Sequence, residues 1–380
     1  MSSSTSARRS TDDTRARRWD RYRPVGGRAT DRTRDGTQRL KAITITDVAR
    51  RAGVSPKTVS RVINGEAHVR AEIREIVTRV VAEMNYRPNV FARGLSSSRS
   101  FLIGLFFDDP ASSYASSIQR GALERARARG RHLVIEPVTF DRSDWQERLD
   151  DTLLGLRLDG AILTSPICDR TDLIEAFERH DVPVVRIAPG SDLDRTPQVR
   201  MDDRAAARKM TEHLLSLGHR DIAFVLGNPQ HSATERRWLG FQDAMTAVGL
   251  TPDPRRVIQG DFKFRSGLEA ADVLFGVDPH PTAVFASNDE MALGVLVAAM
   301  RNQIAVPRSV SIVGFDDAEI ARMAWPQMTT IHQPNFEMGA AAIDMLIDRR
   351  TGAATTEGVI CRELPFELIV RSTCMPRIQS

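Results

Sequence analysis

The chain has 380 residues, 41% of them hydrophobic and 27% charged, which is enough for two or three domains with buried cores. Its longest apolar runs, such as Ala292–Met300, are far shorter than the ~20 residues of a bilayer-spanning helix, so no membrane partner is expected. The polar, Arg-rich amino terminus argues against a secretory signal peptide. Cys168, Cys361 and Cys374 have unrelated spacings, which predicts no disulfide framework and no metal site. We therefore expect a cytoplasmic protein without a metal or cofactor.

The charge of the chain is divided unevenly along its length. Residues 1–95 carry 21 Lys or Arg against 10 Asp or Glu, a net charge of +11, whereas the remainder has a net charge of −7. A basic segment ahead of an acidic body is typical of a protein whose first part meets a polyanion. A solvated basic tail without a partner remains the alternative at this point.

Four segments follow one another along the chain. Residues 1–42 are rich in Ser, Thr, Arg and Asp without apolar periodicity, which predicts a disordered, Arg-rich tail. Residues 43–88 have helical apolar periodicity, and residues 89–100 contain a polar Ser-rich linker. From residue 101 onward, short apolar runs typical of buried strands alternate with helix-length segments. The runs are Phe101–Phe107, His132–Ile135, Gly160–Leu163, Pro183–Ile187, Asp221–Leu226, Arg256–Gln259, Thr282–Ala286 and Val310–Phe315.

Apolar strands separated by helices predict parallel sheets covered on both faces. Eight such runs are more than one open sheet holds comfortably, which favours two doubly wound lobes. A closed eightfold barrel is the alternative, but it leaves the basic amino-terminal segment unexplained.

The segment 43–88 has the pattern of a helix-turn-helix. Ile45–Ala52 places its apolar residues on one stripe, Gly53-Val54 suits a tight turn, and Ser55 followed by Pro56 suits the start of a second helix, Pro56–Asn64. A third helix is predicted at about Arg70–Met84. An ordinary three-helix packing unit with a solvated basic face is the alternative interpretation.

In a helix-turn-helix, the second helix lies in the major groove and offers its first residues to base edges. Lys57, Thr58, Ser60 and Arg61 are expected to face outward. The geometry of guanidinium groups suits Arg61 to O6 and N7 of guanine, whereas Lys57 suits a guanine or a phosphate. We therefore expect double-stranded DNA as the partner of this segment.

Four stretches carry a resemblance to a known family: Thr46–Ala49, Ala52–Ser55, Thr58–Asn64 and Met84–Asn89. Together they resemble the DNA-binding headpiece of the LacI/GalR family of transcriptional regulators. Asn89–Leu95 resembles the family's hinge helix, in which Leu95 would wedge into the minor groove. The resemblance implies that the DNA-binding residues are Thr46, Ser55, Pro56, Lys57, Thr58, Ser60, Arg61, Asn64, Asn89, Ala92, Arg93 and Leu95.

The resemblance continues along the body through Leu217–Val225, Ala286–Gly294 and Ser311–Asp317. It implies an α + α/β architecture: a helix-turn-helix headpiece, then a two-lobed, doubly wound effector domain like the periplasmic binding proteins, at 101–375. Three crossovers are expected near Ala188, Gln333 and Ile360. The amino-terminal lobe then covers about 101–188 and 333–360, and the carboxy-terminal lobe about 189–332 and 361–375.

A sugar-like effector is expected in the cleft between the lobes, where open α/β sheets bind ligands. The family's pattern matches Arg237, Phe262, Asn288 and Asp316 to this effector site, and strand ends add Asp108, Ser113, Tyr114, Ser165 and Arg186. Alternatively, Asp316 only caps a helix and Arg237 is only a charge on the surface of a helix.

Two residues depart from the family's pattern. Ala188 stands where many relatives carry an acidic residue, and Arg186 lies within the preceding strand. Ala188 removes a hydrogen-bond acceptor and Arg186 adds a cation, which together predict a ligand with fewer hydroxyls or one that bears a carboxylate. Alternatively, Arg186 points to a seam between subdomains and does not contact the ligand.

The sequence thus predicts a transcriptional regulator that is controlled by a small molecule. Regulators of the family it resembles are most often repressors. The chain lacks the common hydrolase, metalloprotease and phosphate-loop motifs, so no enzymatic activity is expected. A carboxy terminus without leucine heptads favours a homodimer on a pseudo-palindromic operator. A purine-type corepressor protein and a sugar sensor with a degenerate headpiece remain as alternatives.

Overall fold

The computed structural model describes residues 43–63, 66, 68–86, 100–350 and 359–378. The described chain forms two units, an amino-terminal head and a larger body, with the division after Pro88. The predicted tail 1–42 and five predicted DNA-binding residues lie outside the described residues. These five are Asn64, Asn89, Ala92, Arg93 and Leu95.

The head has three helices: α1 (Ile45–Ala52), α2 (Pro56–Ile63) and α3 (Ala71–Glu83). Thr44 begins α1 with a reciprocal cap, because its hydroxyl accepts from Asp47 N while its own N donates to the Asp47 carboxylate. Gly53 ends the helix at φ 66°, a left-handed conformation that favours glycine. The predicted helix, turn and helix are therefore present.

The core of the head is small and wholly apolar. Val48 and Ala49 of α1, Val59 and Val62 of α2, and Val77 and Val80 of α3 are buried against one another. The buried residues are adjacent on α1 and three apart on α2 and α3, so only one face of each helix leaves water.

In the described part of the body, the strands are β1 (Leu102–Phe107), β2 (His132–Pro137), β3 (Gly160–Thr164), β4 (Val184–Ile187), β5 (Gln198–Arg200), β6 (Ile222–Leu226), β7 (Val257–Gln259), β8 (Ala283–Ala286), β9 (Ser311–Val313), β10 (Thr330–His332), β11 (Cys361–Glu363) and β12 (Glu367–Ile369). The helices are α4 (Ser113–Ala128), α5 (Trp145–Leu156), α6 (Thr171–Arg179), α7 (Asp203–Ser216), α8 (Ser232–Ala247), α9 (Phe264–Phe275), α10 (Asp289–Arg301), α11 (Glu319–Met323) and α12 (Asn335–Arg350).

The strands form two open parallel sheets, one in each lobe. The first sheet has the order β11-β5-β4-β3-β1-β2, and the second has the order β7-β6-β8-β9. Strands β10 and β12 form a short antiparallel pair beside the second sheet. Single bridges from Val313 to Thr329 and from Asp316 to His332 connect this pair to the second lobe. The predicted fold of two doubly wound lobes is confirmed, and the closed barrel is excluded because each sheet ends in edge strands.

The predicted lobe boundaries near Ala188 and Ile360 are wrong. Strands β5 and β11 pair with each other and extend the first sheet beyond β4. The chain therefore crosses between the lobes after β5, at Met201–Asp202, and after β11, at Leu364–Phe366, while the middle crossover lies at Gln333–Pro334. Neither β5 (Gln-Val-Arg) nor β11 (Cys-Arg-Glu) forms an apolar run, which is why the sequence did not reveal them.

Each sheet is covered by helices on both faces, and the fully buried phenylalanines lie at its centre. Phe106 and Phe177 meet edge to face in the first lobe, with ring centroids 4.9 Å apart. In the second lobe Phe224 contacts Phe241 at 4.9 Å and Phe285 at 5.0 Å. Within the described residues, no helix is long and apolar enough to cross a membrane.

Candidate functional site

The first candidate site is the outward face of α2 in the head. Lys57 and Pro56 are exposed at its start, and Thr46 is exposed at the start of α1. The hydroxyl of Ser55 accepts from Thr58 N at 3.2 Å and so caps the helix, and the Thr58 hydroxyl lies 2.9 Å from it. Ser60 is half-buried.

Arg61 lies on the same face one turn further along α2. Its side chain is 45% exposed, and its Nε lies 3.5 Å from a carboxylate oxygen of Glu66. An ion pair between two such exposed groups contributes little to stability, so Arg61 can exchange Glu66 for another partner at small cost. The described part of this face is basic and polar, which is the chemistry expected of a helix that enters a major groove.

The second candidate site is a cavity of about 590 Å³ between the two lobes of the body. Residues from both lobes line it, mostly at the carboxyl ends of strands or in the first turns of the helices that follow, as expected for open α/β sheets. Eight of the nine predicted effector-binding residues line this cavity: Asp108, Ser113, Tyr114, Ser165, Arg237, Phe262, Asn288 and Asp316.

Arg237 of α8 is the central cation of the cavity. Its side chain is 5% exposed, and Nε donates to Asp203 at 2.9 Å. One terminal nitrogen donates to Ser287 O at 2.6 Å, and the other donates to Gln333 Oε1 at 3.3 Å. Three partners hold the guanidinium at a fixed orientation, which is the arrangement that bidentate recognition of adjacent hydroxyls or a carboxylate needs.

Asp316 is the second charged group at the closed end of the cavity. Burial, the largest effect, raises the pKa of Asp316 to about 7. Arg237 opposes this shift from 3.8 Å, whereas Asp203 and Glu290 add to it. A carboxyl group with a pKa near neutrality serves as a hydrogen-bond donor when protonated and as an acceptor when ionised.

Two buried hydroxyl groups of the first lobe have no hydrogen-bond partner among the described residues. They are the buried hydroxyl of Tyr114 on α4 and that of Ser165 after β3. Burial raises the pKa of Tyr114 well above its usual value, so this hydroxyl keeps its proton. A buried unpaired hydroxyl costs about 1–3 kcal/mol, which a ligand that supplies the missing partner would recover.

Phe262 forms an aromatic wall on the side of the second lobe. Its ring lies 5.2 Å from the ring of His231, and Gly227 leaves room for it, because a Cβ at Gly227 would come within 2.0 Å of the ring. The Asn288 amide donates to Phe262 O at 2.8 Å and accepts from Met291 N at 3.0 Å. Asn288 thus caps α10 and fixes Phe262, so it shapes the wall of the cavity with both ends of its amide already engaged.

The prediction that Arg186 binds the effector is wrong. Its side chain is fully buried outside the cavity, where it donates to Thr196 Oγ1 and to the backbone carbonyls of Cys168, Ser191 and Asp192. Ala188, two residues further on, does line the cavity, because β4 ends at Ile187 and the left-handed φ of 53° at Ala188 breaks the alternation of the strand. Arg186 braces the loop after β4 within the first lobe, so it does not lie at a seam between subdomains either.

The sequence analysis missed several residues of the cavity. Asp203 follows a strand too short to recognise, and Gln333 lies at a crossover between the lobes. His231 and Glu290 each contact the other lobe: His231 lies 4.0 Å from Asp108, and Glu290 accepts from the Ser113 hydroxyl at 3.1 Å. Burial lowers the pKa of His231, and Asp108 opposes this effect. Among the described residues, no cluster of His, Cys, Asp and Glu could hold a metal ion.

Comparison with known proteins gives matches in both units. Residues 44–89 match the lacI family of bacterial regulatory proteins, and residues 211–374 match a periplasmic binding protein-like domain. The chain is 35% identical over 316 residues to the ribose operon repressor of Escherichia coli K12, covering 81% of this chain and 93% of that protein. It is 31% identical over 340 residues to the repressor PurR of Pasteurella multocida, covering 88% and 99%.

Two solved structures are similar along most of the chain. The lac repressor dimer bound to operator and the anti-inducer ONPF has a TM-score of 0.74 at 32% identity, covering 88% of this chain and 100% of that one. The complex of the transcriptional regulator CelR with cellobiose has a TM-score of 0.66 at 32% identity, covering 87% and 99%.

A helix-turn-helix head and a two-lobed body with a cleft of ligand size define a class of protein: a DNA-binding regulator with a small-molecule sensing domain. Within that class, the chain belongs to the LacI family of transcriptional regulators.

Proposed function

We propose that this protein is a sequence-specific repressor whose affinity for its operator is set by a sugar bound between the two lobes of the body. The observation that carries the proposal is the closed end of the cavity, where Arg237 is held rigidly beside Asp316 and the ring of Phe262. Fixed donors and acceptors beside a flat apolar face suit a ring that is polar around its edge and apolar on its faces.

The charge of the cavity supports a neutral ligand over an anion. Carboxylates outnumber the Lys and Arg cations in its lining, and of these cations Arg237 is buried whereas Lys263 and Arg265 are exposed at the mouth; the carboxylates are Asp108, Asp109, Asp203, Asp261, Glu290 and Asp316. Arg186, the added cation that suggested a ligand with a carboxylate, lies outside the cavity. The similar regulator CelR was solved with cellobiose, a neutral saccharide.

On the DNA side, we propose that Lys57 and Arg61 contact bases or phosphates from α2, with Thr46, Ser55, Pro56, Thr58, Ser60 and Asn64 around them. By resemblance, Asn89, Ala92, Arg93 and Leu95 would form the hinge contact in the minor groove. The similar lac repressor was solved as a dimer bound to operator, which supports a homodimer and a pseudo-palindromic site.

The mechanism is a coupling of two equilibria. The cavity takes its wall from both lobes, so its occupancy favours one arrangement of the lobes over another. A differential affinity of about 1–3 kcal/mol between the arrangements is the usual size of such coupling. The arrangement would act on DNA through the chain that joins the body to the head.

A corepressor of purine type is the second candidate. Aromatic rings of Phe107, Tyr114 and Phe262 line the cavity, and a flat nucleobase would stack on such a ring. The similarity to PurR favours keeping this candidate. In that case the ligand would strengthen DNA binding, whereas an inducing sugar would weaken it.

One experiment separates these candidates. The full chain is first used to select a preferred duplex from random sequences, and binding to that duplex is then measured by fluorescence anisotropy at fixed salt. Saccharides and nucleobases are added in turn. Release by a saccharide supports the proposal, and tightening by a nucleobase supports the corepressor. A chain that selects no duplex although saccharides raise its melting temperature would be a sensor with a degenerate head.

A further inference from the structure

Glu66 is an isolated acidic residue in a basic part of the head. Between Asp47 and Glu72 the sequence has no other Asp or Glu but five Lys or Arg residues: Arg50, Arg51, Lys57, Arg61 and Arg70. The phosphates of any duplex that α2 approaches repel a carboxylate in this part of the head. Glu66 therefore opposes binding to DNA of every sequence unless its contacts give it another effect.

The backbone of Glu66 is fixed on both sides of its Cα. Glu66 N donates to Arg61 O at 3.0 Å, which ties Glu66 to the last turn of α2. Glu66 O accepts from a terminal nitrogen of Arg74 at 2.6 Å, which ties it to α3. Both helices pack in the core of the head, so Glu66 has a set position relative to Arg61 although its side chain is 49% exposed.

The carboxylate of Glu66 contacts Arg61 through one particular nitrogen. Oε2 of Glu66 lies 3.5 Å from Nε of Arg61, and this contact engages the Nε side of the guanidinium. The edge formed by the two terminal nitrogens can donate in parallel to O6 and N7 of a guanine. Arg61 therefore need not give up Glu66 in order to reach a base.

Orientation of Arg61 bears directly on specificity. A long side chain with many rotamers can turn to a phosphate on any sequence, and such a contact carries no information about the base. A carboxylate at Nε restricts these rotamers, so more of the binding free energy depends on the base pair in front of α2. The attraction between the two charges increases when α2 enters the groove, because water leaves the space around them.

We propose that Glu66 is a specificity-determining residue that positions Arg61 for one base pair and does not itself contact a base. This inference rests on the proposed contact of Arg61 with a base and adds the residue that orients it. Repulsion between Glu66 and phosphates acts in the same direction, since it lowers the affinity for duplexes that offer Arg61 no suitable base.

The test measures binding of the full chain by fluorescence anisotropy at fixed salt. The probes are the selected duplex, its single-base variants at the position where Arg61→Ala loses discrimination, and a random duplex. Glu66→Gln removes the charge and nearly keeps the size of the side chain. It should lower discrimination at that position about threefold or more, while the affinity for the random duplex rises about twofold.

Two further variants separate orientation from charge. In an Arg61→Ala background, Glu66→Gln should leave discrimination unchanged, because Glu66 acts through Arg61. Glu75→Gln is the matched control, since Glu75 is an exposed carboxylate on α3 of the same head. It removes the same charge and should change the affinity for all duplexes alike.

Two outcomes would overturn the inference and leave the sequence-specific repressor intact. In the first, Glu66→Gln behaves like Glu75→Gln and changes all affinities equally, so that Glu66 is only a surface charge. In the second, Glu66→Gln also lowers discrimination in the Arg61→Ala background, so that Glu66 contacts a base itself, such as the N4 amino group of a cytosine. A chain that selects no duplex would instead refute the proposed function, and with it the role of Glu66.

Discussion

Gly190 offers a measurable test of the contact between the two lobes. It lies in the loop after β4, where its N donates to Asp169 Oδ1 at 2.7 Å, and it faces Ser232, the first residue of α8 in the other lobe. A Cβ at position 190 would lie 2.3 Å from Ser232 Cβ and 2.7 Å from its Oγ. Ordinary contacts between such atoms are about 3.5–4.0 Å, so Gly190→Ala must push the lobes apart by more than about 1 Å at this corner.

The cost follows from the size of this overlap. Insertion of one carbon into a packed contact costs about 1–3 kcal/mol. For a body of this size each kcal/mol corresponds to roughly 2–4 °C in melting temperature, so Gly190→Ala should melt a few degrees below the wild type. Separation also strains the nearby hydrogen bond of 2.7 Å that Arg236 donates to Pro189 O. The conformation of Gly190 itself is not left-handed, so backbone strain does not contribute.

The assay is a double-mutant cycle by thermal unfolding of the full chain. Ser232→Gly removes the two nearest atoms and leaves only Asp169 Oδ2, at 3.1 Å from the new Cβ, so the double variant should recover most of the loss. Gly155→Ala is the control, since Gly155 lies in helix α5 with nothing within 4 Å of a new Cβ and should gain about 0.5–1 kcal/mol. An unchanged melting temperature in Gly190→Ala, or no recovery in the double variant, would refute the reasoning.

Three further outcomes are expected. Arg61→Ala should lose about 1–3 kcal/mol of discrimination at one base position, measured on single-base variants of the selected duplex; equal weakening on all sequences would assign Arg61 to phosphate instead. Arg186→Ala should lower the free energy of unfolding by about 3–5 kcal/mol, because it leaves several buried acceptors unpaired. The folded variant should keep its effector affinity. A loss of effector affinity without a loss of stability would show that Arg186 binds the effector after all. The pKa of Asp316 is about 7 in the folded protein and about 3.9 in the unfolded chain, so between these pH values only the folded protein binds the proton. The free energy of unfolding therefore falls as pH rises from 4 to 7, by at most roughly 4 kcal/mol. The melting temperature of Asp316→Asn relative to wild type should therefore rise between pH 5 and 8, and a constant difference would contradict the raised pKa.

The cavity shows which residues the family resemblance identified and which it did not. Arg237, Phe262 and Asp316 were assigned to one site by resemblance to the family, and the structure brings them together. Asp203 and Gln333, which hold Arg237 in place, carried no signal, because a single polar residue beside a three-residue strand or at a crossover resembles any other surface residue. Their role appears only when the second lobe folds over them.

The head and the order of strands and helices were determined by the sequence itself. Apolar spacing of three to four residues, the turn at Gly53 and the capped start at Ser55 act within a few residues of one another, so they specify α1 and α2 without reference to the rest of the chain.

Only the tertiary structure decided which lobe each short strand joins and which way a buried side chain points. Arg186 and Ala188 lie two residues apart at the end of β4, yet the first is enclosed by the carbonyls of its own lobe and the second lines the cavity. Pairing of β5 with β11 joins residues more than 150 positions apart. Contacts over such distances depend on how complete sheets and loops pack, and no local pattern of residues records that packing.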